Sequence, residues 1–576
     1  MRYNVLACDY DGTLARHGRV GDETVTWLER LSRAGVKLLL VTGRELDDLL
    51  AVFPRPGLFD LIVAENGALL YDPAQHTCDP LCAPPPPELA ERLRAEGVTP
   101  LGVGQVMIAT REPYDHQVLQ AIHELGLELQ VIYNKGAVMV LPSGVNKASG
   151  LAAGLDRLEL SRHGVVAVGD AENDHTFLTA AECGAAVANA LPALKNACDL
   201  RLAGEAGAGV SELAGMMLSG ELDGVDVPRH HVLAGFGEGG EEVRLPPYGV
   251  GVMVAGPSGS GKSTVVTALL ERLIGDDYQC VVVDPEGDYA EYPHAAVLGD
   301  HDRVPGVEEV LHVLAQPAES VVVNLIGLQL RDRPAYFAEL LPRLTGLRAR
   351  LGHPHWLVVD EAHHLMPAEL RDVPLQSAAD VGALAMITVH PDAVSPGAAR
   401  LVTHAIAVGK DLERTLGGFA QACGRPAPGL AGGAGDLALW RVGAGTADRV
   451  RLAPARAERT RHRRKYAAGT MSRDKSFYFT GPDDRLRLRA RNLHTFVELA
   501  EGLDDDTWLH HLRRGDYAAW IRDCLGDQEL AREVAEVGVE DAGESRRRIA
   551  ALIEERYTLP AEPTDFDPDH EERRQA

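Results

Sequence analysis

One apolar strand runs into Asp9-Tyr10-Asp11-Gly12-Thr13, and another runs into Gly256-Pro257-Ser258-Gly259-Ser260-Gly261-Lys262-Ser263. These are two phosphate-handling loops of unrelated design. Each needs partner residues delivered by the ends of its own neighbouring strands, so one sheet cannot serve both. A length of 576 residues allows two sheets, because it exceeds what a single hydrophobic core organises. The expected fold is therefore α/β and multidomain, with room for a third domain.

The apolar runs divide the chain accordingly. Over 1–218, short runs at 5–8, 36–41, 61–64, 165–168 and 185–188 alternate with helical patterns, as buried parallel strands do. The rhythm breaks over about 72–146, where Pro84 to Pro87 make a stiff connector and 87–96 and 114–125 have helical spacing; this is an expected inserted α+β cap. A Gly- and Asp-rich linker at 219–230 leads to a second alternating region, 231–455, with strands expected at 251–255, 280–283, 320–325, 356–359 and 384–389. A basic linker follows at 456–470, then a mostly helical domain at 471–560 and a polar tail at 561–576.

Composition limits the partners. A formal net charge of −27 repels nucleic acid and anionic membranes, so a polyanion would need a local basic patch. The run Arg459, Arg461, Arg463, Arg464 and Lys465 is the candidate, with a solvated linker as its simpler role. Cys8, Cys183 and Cys280 lie in apolar stretches, which fits a reducing compartment. His76, Cys78 and Cys82 have the spacing of half a metal site, but no second half follows. The start resembles no signal peptide and no apolar run reaches membrane-spanning length, so a cytoplasmic protein is expected.

In the first region Asp9 ends a strand and Asp11 stands two residues on, which lets two carboxylates divide labour. One attacks phosphorus; the other protonates the leaving oxygen and then activates water. Further stations follow at strand ends in order: Thr42-Gly43-Arg44, then Lys147 after the cap, then Gly169-Asp170-Ala171-Glu172-Asn173-Asp174. With these four stations the region resembles the haloacid-dehalogenase (HAD) superfamily, in particular its Cof-like phosphatases, and Asn66-Gly67 matches the loop leading into their cap. The resemblance implies a Rossmann-like domain. It implies Asp9 as nucleophile, Asp11 as general acid/base, and Thr42 and Lys147 as phosphoryl-binding groups. It also implies Mg²⁺ held at Asp9, Asp11 and Asp170 with support from Asp174, and Asn173 bonded near the substrate. Arg44 and Arg111 are candidate substrate contacts, and the small cap points to a small phosphorylated metabolite such as phosphoglycolate or a sugar phosphate.

In the second region a strand, the loop from Gly256 to Ser263 and a helix from Thr264 form a P-loop. Backbone N–H groups at Gly256, Gly259, Ser260 and Gly261 cradle phosphates, Lys262 reaches the outer ones, Ser263 ligates Mg²⁺ and Thr264 continues the helix, so ATP is the expected ligand. Asp360 ends a later strand and should orient the cation, while Glu361 polarises the attacking water. Asp284-Pro285-Glu286-Gly287-Asp288-Tyr289 resembles the HerA/FtsK-like ATPases, a RecA-like family of hexameric DNA pumps. The resemblance implies an oligomer, with a hexamer as the family's form, and Arg400 or Arg414 acting across subunits. It also places a Gln where this chain has His390.

The third region resembles a small helical domain of unknown role; His510 and His511 point to different faces. The expected function is a Mg²⁺-dependent phosphatase fused to an ATP-hydrolysing module. Two other readings stay open: a nucleic-acid motor with an end-phosphatase, and a metabolite phosphatase regulated by ATP.

Overall fold

The computed structural model describes residues 2–370, 373–433, 435–454, 476–482, 485–525, 527–538 and 541–557. The chain divides into two compact units between Ala453 and Pro454. The basic linker at 456–470 and the polar tail at 561–576 lie outside the described residues.

The first unit holds two large sheets. The strands of its amino-terminal part are β1 (Val5–Cys8), β2 (Lys37–Val41), β3 (Leu61–Ala64), β4 (Leu69–Asp72), β5 (Thr77–Pro80), β6 (Gly102–Val103), β7 (Ile108–Arg111), β8 (Leu129–Asn134), β9 (Ala137–Pro142), β10 (Val165–Gly169), β11 (Cys183–Ala186) and β12 (Leu200–Arg201). Eight of them form a sheet in the order β12-β11-β10-β1-β2-β3-β4-β5. It is parallel from β12 to β3, and β4 and β5 add an antiparallel edge. Every residue of β1, β3, β10 and β11 is buried, because helices cover both faces, and this is why these strands are apolar without alternation.

The cap is a separate four-stranded antiparallel sheet, β6-β7-β9-β8, backed by helices Pro87–Ala95 and Asp115–Glu124. Leu89, Leu93, Ile108, Val118 and Val140 form its own core. The expected cap boundary at 72 is too early, since the β4–β5 hairpin belongs to the large sheet. All four residues of β5 are exposed, so this edge strand carries no apolar signal. Residues 219–230 are likewise not a free linker: Leu222 and Val227 are buried in the first core.

The second sheet is built from β13 (Val232–Phe236), β14 (Glu242–Leu245), β15 (Gly251–Ala255), β16 (Cys280–Asp284), β17 (Ala296–Leu298), β18 (Val321–Asn324), β19 (Trp356–Val359), β20 (Ala383–Thr388), β21 (His404–Val408), β22 (Gly429–Leu430), β23 (Leu437–Arg441) and β24 (Thr446–Leu452). Its order is β14-β13-β24-β23-β21-β15-β20-β19-β16-β18-β17, with β22 beside β24. From β21 to β17 neighbours run parallel, and an antiparallel meander extends the other edge. One strand, β20, separates the P-loop strand β15 from β19, which leads into Asp360.

The two sheets meet through their amino ends. Arg2 before β1, His163 before β10 and Glu182 before β11 face Tyr278 before β16. The Arg2 guanidinium donates to Glu182 Oε1 at 2.7 Å, and the Tyr278 hydroxyl donates to Glu182 Oε2 at 3.1 Å. His163 stacks on Tyr278 with centroids 3.6 Å apart, and its Nδ1 and Nε2 lie 2.8 Å from Glu182 Oε2 and the Asp276 carbonyl. Burial pushes the Glu182 carboxyl up, but the hydrogen bond and charge of His163, with the charges of His230 and Arg2, hold it down at about 2. The join is thus made by residues that precede the strands, and the loops at the carboxyl ends take no part in these contacts.

The second unit pairs Phe477–Phe479 with Leu488–Ala490 and packs helices Leu493–Glu501, Asp505–Arg514, Asp516–Trp520, Gln528–Ala535 and Ala542–Tyr557 around them. Phe477, Phe479, Phe496, Trp508, Tyr517 and Trp520 fill its core. His511 accepts the Thr480 N–H at Nε2 and bonds Asp516 at Nδ1, so it pins the strand to the helix.

Candidate functional site

At the carboxyl end of the first sheet, Asp9 leaves β1, Thr42 leaves β2 and Asp170 leaves β10, all three buried. Lys147 opens the helix that returns from the cap, where Asn146 caps it by accepting the Ala148 and Ser149 N–H groups. Its Nζ lies 2.6 Å from both Asp9 Oδ1 and Asp174 Oδ1, and the side chain is 1% exposed. The other oxygen of Asp174 accepts the backbone N–H groups of Asp170 and Ala171, each at 2.8 Å. Asp174 is thereby a clamp that fixes Lys147 and the turn carrying Asp170. Burial and the Asp174 carboxylate push the Asp9 carboxyl up to about 7 despite Lys147, and burial also raises Asp170.

Carboxylate oxygens of Asp9, Asp170 and Asp174 all lie within 4.8 Å of one another. Hard oxygen donors crowded in a buried pocket fit a Mg²⁺ ion. Both oxygens of Asp174 are engaged, one by Lys147 and the other by two backbone N–H groups, whereas Lys147 takes one oxygen of Asp9; Asp9 and Asp170 are thus the better placed carboxylates to hold it. Gly12 sits with φ +88°, and a Cβ there would lie 2.4 Å from Asp170 Oδ2, so glycine is required at this approach.

The Asp11 side chain points elsewhere. Arg44 grips it with two bonds, Nε to Oδ2 at 2.6 Å and Nη2 to Oδ1 at 2.8 Å, and also holds Asp48. Arg44 is thus a positioning group for Asp11, and Arg111 is exposed at the end of β7. Asn173 bonds Asn66 Oδ1 at 3.0 Å, tying the third and cap-entry loops together.

In the second sheet the P-loop leaves β15 and enters the helix Lys262–Gly275, with Gly259 and Gly261 at φ +75° and +99°. Lys262 donates to the carbonyls of Gly256 and Pro257 at 3.0 and 3.1 Å. Gly256 is held against Val408, where a Cβ would meet the carbonyl oxygen at 2.2 Å. Ser260, Ser263 and Thr264 are half-buried at the helix entry, and Gly259 is exposed at the loop crest. Asp360 is buried after β19, and Glu361 follows in the left-handed region at φ +42°. Burial and the charges of Asp284, Asp288 and Glu361 raise Asp360 well above the usual carboxylate range. Asp284, also buried, accepts the N–H groups of Glu286, Asp288 and Tyr289, which shapes the loop after β16.

Comparison with known proteins places these geometries. A family model for haloacid dehalogenase-like hydrolases matches residues 6–80 and 102–213. A phosphoglycolate phosphatase of Methanothermobacter thermautotrophicus is 32% identical over 219 residues, covering 36% of this chain and 95% of that protein. The chain belongs to the haloacid dehalogenase-like hydrolases. A second phosphoglycolate phosphatase, from Pyrobaculum neutrophilum, is 30% identical over 228 residues, 38% of this chain and 98% of its own length. A crystal structure of a haloacid dehalogenase-like hydrolase from Bacteroides thetaiotaomicron overlaps at 19% identity, covering 37% of this chain and 99% of that one, with a TM-score of 0.33. Residues 252–342 match the central domain of helicase HerA. Among the described residues no helix is long and apolar enough to cross a membrane.

Two site neighbours were not legible in the sequence. In the haloacid dehalogenase-like region, Lys135 at the tip of the β8–β9 hairpin reaches from the cap to Asp170 Oδ2 at 2.7 Å and the Asp11 carbonyl at 3.2 Å. In the second sheet, after β19, His363 Nδ1 lies 3.4 Å from Glu361 Oε2 and 3.1 Å from Thr388 Oγ1. Burial and the nearby His364, His390 and Lys262 lower His363 to about 4, so it stands neutral beside Glu361. His390 follows β20, its N–H bonded to Thr388 Oγ1 and its ring 5.7 Å from His363. Arg400 and Arg414 are exposed after β20 and β21.

Proposed function

We infer that the first site is a phosphomonoesterase acting through a covalent aspartyl phosphate. The observation that carries this is Lys147, buried and bonded at once to Asp9 and Asp174. A lysine in that place lowers the repulsion between an anionic nucleophile and a phosphate dianion. Asp9 Oδ attacks phosphorus and the ester oxygen leaves, taking a proton from Asp11; Asp11 then accepts a proton from the water that cleaves the acyl phosphate. Arg44 holds Asp11 at the rim until substrate arrives, and Thr42 receives a phosphoryl oxygen. Mg²⁺ held by Asp9 and Asp170 would supply charge neutralisation at the phosphoryl oxygens. The substrate class is a small phosphorylated metabolite, on the strength of a compact cap and relatives that are phosphoglycolate phosphatases. Phosphate release from a panel of small phosphoesters, with and without Mg²⁺ and with and without ATP, tests this; no release from any member refutes it.

The second site is read as an ATPase. Lys262 and the loop N–H groups would take the phosphates, Ser263 and Asp360 would hold a Mg²⁺ that neutralises their charge, and Glu361 would orient water with neutral His363 at its side. The HerA-like match supports this, along with an assembly in which a neighbouring copy completes the site. ATP turnover by the full chain, measured with and without DNA, separates a metabolite-linked ATPase from a nucleic-acid motor.

A further inference from the structure

Lys135 occupies a costly position. It and Gly136 form the two-residue turn between β8 and β9, with φ of +49° and +83°. Such a turn favours Asn, Asp or Gly at its first place, because a side chain with φ above zero is strained. The strain aims the ammonium across the gap between cap and sheet, onto Asp170 Oδ2 and the Asp11 carbonyl. Asn189 reaches the same carboxylate oxygen at 3.3 Å. A Cβ on Gly12 would lie 2.9 Å from Lys135 Nζ, so the ammonium sits over the loop that follows Asp9. These are oxygens of the seat that a Mg²⁺ ion would take, and one seat cannot hold an ammonium and a divalent cation together.

Resting on the phosphatase reading above, we propose that Lys135 is a tethered cation with two stations. Without metal it sits on Asp170 and holds the cap against the sheet. With Mg²⁺ in place it is turned out, and it takes up a second negative charge carried by the leaving group of the substrate. Arg44 is engaged with Asp11 and Asp48, and Lys147 with Asp9 and Asp174. Lys135 differs from these two in that it is part-exposed and its partner Asp170 belongs to the metal seat, so Mg²⁺ would release it to read a carboxylate or second phosphate close to the ester, and doubly anionic esters are the substrate class it selects.

Two measurements on the full chain test this, using Lys135→Gln with Lys135→Arg as the conservative control. Calorimetric titration with Mg²⁺ alone should show tighter binding in Lys135→Gln by about fivefold, the size of a part-exposed ion pair that no longer competes. The KM for 2-phosphoglycolate should rise about tenfold more than the KM for para-nitrophenyl phosphate, with the discrimination restored in Lys135→Arg. Unchanged Mg²⁺ affinity, or equal KM changes for the two esters, overturns the proposal. A wild-type chain that hydrolyses neither ester refutes the phosphatase reading instead, and the Mg²⁺ titration then judges the metal-seat station by itself.

Discussion

The two sites differ in how their charge is matched before any ligand arrives. In the first, Lys147 and Lys135 already stand between Asp9, Asp174 and Asp170, so each of these carboxylates has a cationic partner. In the second, Lys262 is turned onto its own loop carbonyls, while Asp284, Asp288, Asp360 and Glu361 gather acid against acid. Glu361 adds a backbone conformation that side-chain-bearing residues seldom adopt. The first site carries the same kind of backbone strain at Glu65, Asn66 and Lys135, so what separates the two is charge: acids paired with lysines in one, and an electrostatic load of acids gathered against one another in the other.

The sharpest break of this contrast is Asp9→Asn. It should lower phosphatase kcat by roughly 10⁴-fold or more, since no neighbour replaces a nucleophile, while ATP hydrolysis stays within about twofold. Para-nitrophenyl phosphate and ATP turnover on the same preparation read both, and a parallel fall in ATPase would mean the sites are not independent. Next in size is assembly: if a copy of the chain donates a cation to the outer phosphate, Arg400→Ala or Arg414→Ala should cut ATP turnover by about 10³-fold with nucleotide affinity kept. Light scattering in ATP and Mg²⁺ should show an oligomer, and a monomer with a concentration-independent specific rate would remove the idea.

Within the loaded site, Lys262→Ala should abolish nucleotide binding in calorimetry, whereas Glu361→Gln should bind ATP and slow its hydrolysis by about 10²-fold to 10³-fold. Equal loss of affinity in both would merge roles that the geometry separates. The smallest effect concerns the join between the sheets. Glu182 drops from 4.5 to about 2 on folding, so its contribution is fully present above pH 4.5 and disappears as pH falls towards 2. His230, lowered by burial from 6.5 to about 4, acts in the same direction between those values, because the unfolded chain takes up the proton first. Glu182→Gln should therefore lower stability by about 3 kcal/mol at neutral pH, and the gap to wild type should close near pH 2. A gap that does not change with pH would show that the ion pairs are not its source.

How much of this could be read beforehand follows from where the signal lies. Strands buried on both faces, such as Val5–Cys8 and Trp356–Val359, announce themselves as unbroken apolar runs. Thr77–Pro80 is wholly exposed and Thr446–Leu452 buries only Ala447 and Val450, so neither the hairpin on the first sheet nor the meander on the second stands out. Asp9, Thr42, Lys147 and Asp170 were legible because each follows or opens an element with a recognisable boundary. Lys135 was not, since its meaning depends on a fold that brings it to Asp11, 124 positions away. The grip of Arg44 on Asp11 is hidden for the same reason: a motif gives the order of residues along the chain, not the direction a guanidinium turns.

The packing of the two sheets by their amino ends puts both candidate sites on one foundation. The loops that carry Asp9, Asp170, Lys262 and Asp360 leave the strands at the ends opposite the join, so the residues of the join are separate from those of either site. Joining the two sheets in one chain has a further effect. It sets their numbers at one to one and gives them a common foundation, so that a break at Glu182 or Tyr278 would take both out of service together.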